Sequence, residues 1–146
     1  MLFDAEHIIH VDGASRGNPG PASYGYAVLD PAEKILHSGS GYIGISTNNV
    51  AEYTALVEAL KFVLKQGIHS IEIRSDSELL VKQLKGEYKV RASHLASLHE
   101  ECRNLLRRLT WYEIKHVPRE KNKLADKLAN QALDEQLMKT KPVKNG

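Results

Sequence analysis

The hydrophobic pattern changes period near residue 49, and this change constrains the fold more than any other feature of the chain. Upstream lie three short β-rich runs, residues 7–12, 24–29 and 36–43. The first ends at Gly13, and the dense turn chemistry of Gly17, Asn18, Pro19, Gly20 and Pro21 makes a loop. Asp30 and Pro31 break the second run, and Gly39 and Gly41 mark the third as an edge or a bulge. Short runs with short connections make an antiparallel meander. From residue 49 to 66 the apolar residues Tyr53, Leu56, Val57, Leu60, Val63 and Leu64 recur at three- and four-residue steps, which predicts an amphipathic helix stopped at Gly67. Residues 71–75 return to alternation. Ser77 is an N-cap for a helix to about residue 85, and Ser93 opens another that carries Leu95, Leu98, Cys102, Leu105, Leu106 and Leu109. Residues 111–114 read as a fifth strand. Asn122 is the expected N-cap of a last helix with Leu124, Leu128, Ala132 and Leu133.

The order is β-β-β-α-β-α-α-β-α. A right-handed crossover makes strand 4 parallel to an earlier strand, and strand 1, short and apolar, is the central candidate. The predicted fold is α/β, a mixed five-stranded sheet of order 3-2-1-4-5 with helices on both faces.

At 146 residues the chain fits one domain, at roughly 100–200 residues per domain. Hydrophobic residues at 42% exclude a chain disordered throughout. No apolar run approaches the roughly 20 residues that span a bilayer, so no membrane is expected. The first six residues carry acids where a signal peptide carries basic charge. A lone Cys102 cannot close an internal disulfide, so a cytoplasmic location and a buried thiol are expected. Charge is divided unevenly. Residues 1–81 hold five Lys/Arg against ten Asp/Glu, whereas residues 82–127 hold twelve against six. That division suits a cation site beside a polyanion-binding face, and equally two solvated faces of opposite sign.

Asp12 ends the first run and Asp76 the fourth, so parallel neighbouring strands bring both carboxylates to one sheet edge, the usual ligand edge of open α/β sheets. Glu52 and Asp126 are expected in the first turns of their helices, where the helix dipole alone accounts for them. Together, four acids need a counter-ion. A hard divalent cation such as Mg²⁺ takes oxygen ligands, and the absence of a thiolate cluster or an HExxH motif argues against zinc.

The run Asp12-Gly13-Ala14-Ser15-Arg16-Gly17-Asn18-Pro19-Gly20-Pro21-Ala22 resembles the opening signature of the type 1 ribonuclease H family. Thr47-Asn48-Asn49-Val50-Ala51-Glu52, Ser75-Asp76-Ser77, and His116-Val117-Pro118-Arg119-Glu120 followed by Asn122-Lys123-Leu124-Ala125-Asp126 resemble its other three motifs, in order, over residues 7–134. The resemblance implies the ribonuclease H fold and endonucleolytic hydrolysis of the RNA strand of RNA–DNA hybrids, leaving 5′-phosphate and 3′-hydroxyl ends. It implies Asp12, Glu52, Asp76 and Asp126 as the catalytic and metal-binding set. They would hold two Mg²⁺ or Mn²⁺ ions per site with substrate, clamping the attacking and leaving oxygens. Asp12 would bridge the ions, Asp126 would serve the water-activating one, and Glu52 and Asp76 the other. His116, ten residues before Asp126, matches the family's loop histidine, which assists proton transfer or product release; in versions with a Val-Pro-Arg-Glu stretch it sits at a strand end.

The family's hybrid contacts, which distinguish 2′-hydroxyls in the minor groove, map onto Ser15, Asn18, Asn48 and Asn49, with Thr47 and Asn18 at a DNA-phosphate pocket. Glu78 stands where the family often has Gln, a departure for an amide contact. Only residues 86–92, with Tyr88, Lys89 and Arg91, separate the second and third helices, so the basic insertion of some members is expected to be absent. Grip would then come from Lys82, Lys85, Lys89 and Arg91, with salt-dependent affinity. Residues 1–138 are read as the ribonuclease H catalytic domain, residues 139–146 as a mobile tail, and the chain as a stand-alone monomer. An inactive binding module, a related nuclease of the same fold and a reverse-transcriptase fragment are the alternatives.

Overall fold

The computed structural model describes residues 6–140. Strands β1 (His7–Ser15), β2 (Gly20–Leu29) and β3 (Ile35–Ser46) precede helix α1 (Asn48–Lys65). Strand β4 (Ser70–Ser75), helices α2 (Glu78–Leu84) and α3 (Ser93–Leu106), strand β5 (Trp111–His116) and helix α4 (Lys123–Thr140) follow, with a single 3-10 turn over Arg119–Lys121. The sheet runs β3-β2-β1-β4-β5 as the periodicity predicts, antiparallel on the β3 side of β1 and parallel beyond it.

Hydrophobic burial divides unequally between the two faces. On one, Ile9, Val11, Val28, Ile71, Ile73 and Ile114 meet Leu56, Leu60 and Val63 of α1, Leu80 and Leu84 of α2, and Leu95 and Leu106 of α3. Cys102 is buried there too, as expected, and burial pushes its thiol up to about 12. Among the described residues, the other face is covered by α4, which packs on β1, β2 and β3. Its apolar contacts are Ile8, Ala27 and Leu29 against Leu124 and Leu128, and Ala14 against Ala129 and Leu133. The thin face leaves room among its apolar contacts for polar side chains, and Asp12 and His10 are buried on the central strand.

Several boundaries differ from expectation. β1 continues three residues past Asp12, because β2 pairs with it to Ser15↔Ala22 after the β4 ladder has ended at Val11↔Ser75. Asp12 therefore stands inside a strand. Trp111 and Tyr112 are both exposed on the edge strand β5. α4 takes the first two residues of the expected tail into its last turn. The rest of that tail and residues 1–5 lie outside the described residues.

Candidate active site

Four carboxylates line one cleft of about 430 Å³, each delivered by a different element. The parallel register pairs Val11 with Ser75, so the following residues, Asp12 and Asp76, fall side by side at the carboxyl edge. Glu52 comes from α1. Thr47 caps that helix, its hydroxyl accepting from the Val50 N–H at 3.2 Å, and Asn48 opens it, so Glu52 lies one turn in rather than in the first turn. Asp126 does occupy the first turn of α4.

Two glycines let the helices approach this closely. A Cβ on Gly13 would lie 2.7 Å from both the Ala51 Cβ and the Glu52 backbone nitrogen. A Cβ on Gly25, the antiparallel partner of Asp12, would lie 2.6 Å from the Ala125 carbonyl oxygen and the Ala129 nitrogen. Any larger side chain at either position displaces a helix that carries a carboxylate.

Burial, and after it their mutual repulsion, raises the proton affinity of Asp12, Glu52 and Asp76. Burial, then the Asp76 charge, with smaller contributions from Asp126 and Glu52, pushes Asp12 up to about 8, although the Gly13 N–H donates to its Oδ1 at 2.9 Å. Burial, with Asp76 adding, pushes Glu52 up to about 7, opposed by the Ser77 hydroxyl. Asp76 is raised chiefly by burial and partly relieved by Arg119. Glu52 Oε2 is buried with no hydrogen-bond partner. Among the described residues no group of three or more His, Cys, Asp or Glu side chains stands at ready metal-holding geometry. The donor set nevertheless fits a hard divalent cation, being all oxygen, crowded and one acceptor short of a partner.

His116 ends β5, where the resemblance placed it, and lines the cleft. Its Nε2–H donates to the Asp76 carbonyl oxygen at 3.2 Å, which leaves Nδ1 as the lone-pair nitrogen of the neutral ring. The loop contacts expected around α1 also gather. The Ser15 hydroxyl donates to Asn48 Oδ1 at 3.2 Å, and the Asn48 N–H donates to Asn18 Oδ1 at 3.0 Å. Asn49 Oδ1 is buried and unpartnered. Glu78 does not line the cleft; its carboxylate lies 2.7 Å from Lys82, one helical turn away. That contact takes Lys82 partly out of the expected grip, since the same ammonium also sits over the Tyr88 ring at 4.9 Å. Tyr88, Lys89 and Arg91 line a second concavity with Leu79 and Glu87.

Two residues near the acids have no site role assigned from the sequence. Arg119 borders the cleft, its guanidinium 3.9 Å from Asp126. Asn122, expected to cap α4 with its side chain, is wholly buried and spends its amide elsewhere: Nδ2 donates to the Val11 carbonyl at 2.8 Å and Oδ1 accepts from His10 Nδ1 at 3.1 Å. Only its backbone carbonyl serves the helix, accepting from the Asp126 N–H at 3.2 Å.

A mixed sheet with four acids at its carboxyl edge defines a class that comparison with known proteins narrows. The family model described as reverse transcriptase-like matches residues 10–132. The chain is 44% identical over 126 residues to ribonuclease HI of Halobacterium salinarum, which covers 86% of this chain and 63% of that protein, so it spans less than two thirds of that relative. It is 36% identical to the ribonuclease H of Chromohalobacter salexigens, covering 87% of this chain and 84% of the relative. LC11-RNase H1, solved in complex with an RNA/DNA hybrid, superposes with a TM-score of 0.85 at 42% identity, covering 90% of this chain and 99% of that one. The chain belongs to the ribonuclease H family.

Proposed function

We propose that this chain is a ribonuclease H, an endonuclease that hydrolyses the RNA strand of RNA–DNA hybrids and leaves 5′-phosphate and 3′-hydroxyl ends. The observation that carries this reading is the convergence of Asp12, Glu52, Asp76 and Asp126 on one cleft, with Asp12 held at about 8 and Glu52 at about 7. Such a set is poorly tolerated empty and well suited to Mg²⁺ or Mn²⁺. The hybrid bound by LC11-RNase H1, a relative of the same fold, supports the substrate class.

Asp12, Glu52, Asp76 and Asp126 would hold two divalent ions when substrate is present, Asp12 serving both. Bound there, the ions supply charge stabilisation at the scissile phosphate and a water of lowered pKa. The chain's own groups do the rest. The Gly13 N–H holds the Asp12 carboxylate in place. His116, fixed through Nε2, offers Nδ1 to a proton at the cleft mouth. Ser15, Asn18, Thr47, Asn48 and Asn49 at the start of α1 form a polar shelf beside the acids, suited to minor-groove hydroxyls and a DNA-strand phosphate. Glu78, paired with Lys82, contributes to this shelf only by leaving that partner. The catalytic unit, expected to end at residue 138, runs to the end of α4 at residue 140 and acts in the cytoplasm as a monomer.

The test is an end-labelled RNA–DNA hybrid incubated with Mg²⁺, Mn²⁺ or EDTA, beside single-stranded RNA, duplex RNA and duplex DNA. Cation-dependent cutting of the hybrid's RNA strand is expected. Binding without cutting under either cation contradicts the reading, and cutting of duplex DNA assigns the chain to another nuclease of this fold.

A further inference from the structure

Among the described residues, Asn122, just before α4, is the one wholly buried polar side chain that bonds to β1, the strand carrying Asp12, at the start of the helix carrying Asp126. Its amide can be oriented in one way only. The Val11 carbonyl accepts and cannot donate, so Nδ2 faces it, and Oδ1 must face His10. His10 Nδ1 therefore carries its hydrogen. The Val11 carbonyl belongs to the last residue of the β1–β4 ladder, immediately before Asp12. At the other end, the Asn122 backbone carbonyl takes the Asp126 N–H, and Asn130 Nδ2 contacts both the Asp126 backbone carbonyl, at 2.9 Å, and its Oδ1, at 3.0 Å. Asn122 thus ties the strand at Asp12 to the backbone of Asp126, Asn130 separately holds the Asp126 carboxylate, and neither asparagine lines the cleft.

We propose that Asn122, with its orientation locked by His10, is a positioning residue that sets the separation of Asp126 from Asp12 and thereby the cation affinity of the cleft. The proposal rests on the reading of those acids as cation ligands. Neither Asn122 nor His10 lines the cleft, so their effect is exerted through the carboxylates. Asn122→Asp removes the donor to Val11 while keeping the shape. His10→Phe removes the hydrogen that locks the amide, and His10→Gln restores a donor.

The experiment is a calorimetric titration of the substrate-free protein with Mn²⁺, run well below the melting temperature of each variant, together with the Mg²⁺ concentration at half-maximal cleavage and the KM for hybrid. Asn122→Asp and His10→Phe are expected to weaken Mn²⁺ binding by ~10–100-fold, the usual effect of losing a partner behind a metal ligand. The half-maximal Mg²⁺ concentration should rise in parallel with KM little changed, and His10→Gln should recover most of the affinity. Where Asn122→Asp does not fold, the His10 pair decides. Folded variants with a lowered melting temperature but wild-type Mn²⁺ affinity overturn the proposal. A wild-type chain that binds no Mn²⁺ overturns the functional reading beneath it.

Discussion

Helices α1 and α4 each deliver a carboxylate to the cleft, and they are anchored by opposite means. α1 starts locally: the Thr47 hydroxyl takes the N–H three residues on, and Glu52 follows one turn later. α4 starts at long range. Its capping-type residue, Asn122, spends its side chain on β1, more than a hundred residues away in the chain. The contrast teaches that a site acid can be placed by a local code or by a tertiary bond, and that residue type alone does not tell which. It also teaches that the helix on the thin, polar face is the one needing extra anchorage, since α1 has the main hydrophobic core to hold it.

The largest expected effect breaks the site common to both helices. Asp12→Asn should lower hybrid cleavage by at least roughly 10³-fold, ~4 kcal/mol of barrier at 1.36 kcal/mol per tenfold. Hybrid binding, measured by filter retention, should be nearly unchanged; retained cleavage would remove Asp12 from the site. The same substitution should stabilise the cation-free protein. Asp12 titrates at about 8 when folded, above its ordinary value of 3.8, so the folded state holds its proton more tightly. Stability is then fully present below the ordinary value and is lost as pH rises toward 8. Melting of the wild-type protein in EDTA should fall over that range. Asp12→Asn should flatten the fall and gain on the order of 2–4 kcal/mol near neutrality.

Gly25→Ala sharpens the comparison at α4. The added Cβ meets two backbone atoms of α4, so the helix must move, at a cost of about 1–3 kcal/mol, and cleavage should drop with Asp126 displaced. Unfolding in urea and a rate at saturating Mg²⁺ measure both. The smallest effect is at α1. Thr47→Ala should cost about 1 kcal/mol of stability, the value of one N-cap, without weakening Mn²⁺ binding. A Thr47→Ala protein with the cation defect of Asn122→Asp would erase the distinction between the two helix starts.

The same distinction explains what was readable in advance. The strand order, the central place of β1, the cap at Ser77 and the meeting of Asp12 with Asp76 follow from periodicity and turn chemistry, which act over a few residues, whereas the place of Glu52 and Asp126 beside them came from the family resemblance. The extension of β1 past Asp12 was not readable, because it depends on β2 pairing after β4 has turned away. Nor was the role of Gly25, which looks like any strand glycine until α4 is laid across it. Asn122 keeps the position before α4, but for the same reason its side chain goes to β1, and Glu78, outside the cleft, pairs with Lys82, four residues on. Arg119 carried a signal, a cation one helical approach from Asp126 in an otherwise polar loop, but its direction comes from the turn at Arg119–Lys121.

The most direct test of the account is whether cation binding expels protons from Asp12 and Glu52. Titrating the protein with Mn²⁺ at pH 7 in buffers of different ionisation enthalpy measures protons released per ion. With Asp12 at about 8 and Glu52 at about 7, release of about one proton or more is expected, falling sharply in Asp12→Asn. A binding heat independent of the buffer would mean that the acids are already ionised and apart, contrary to the crowded cation site on which the functional reading rests.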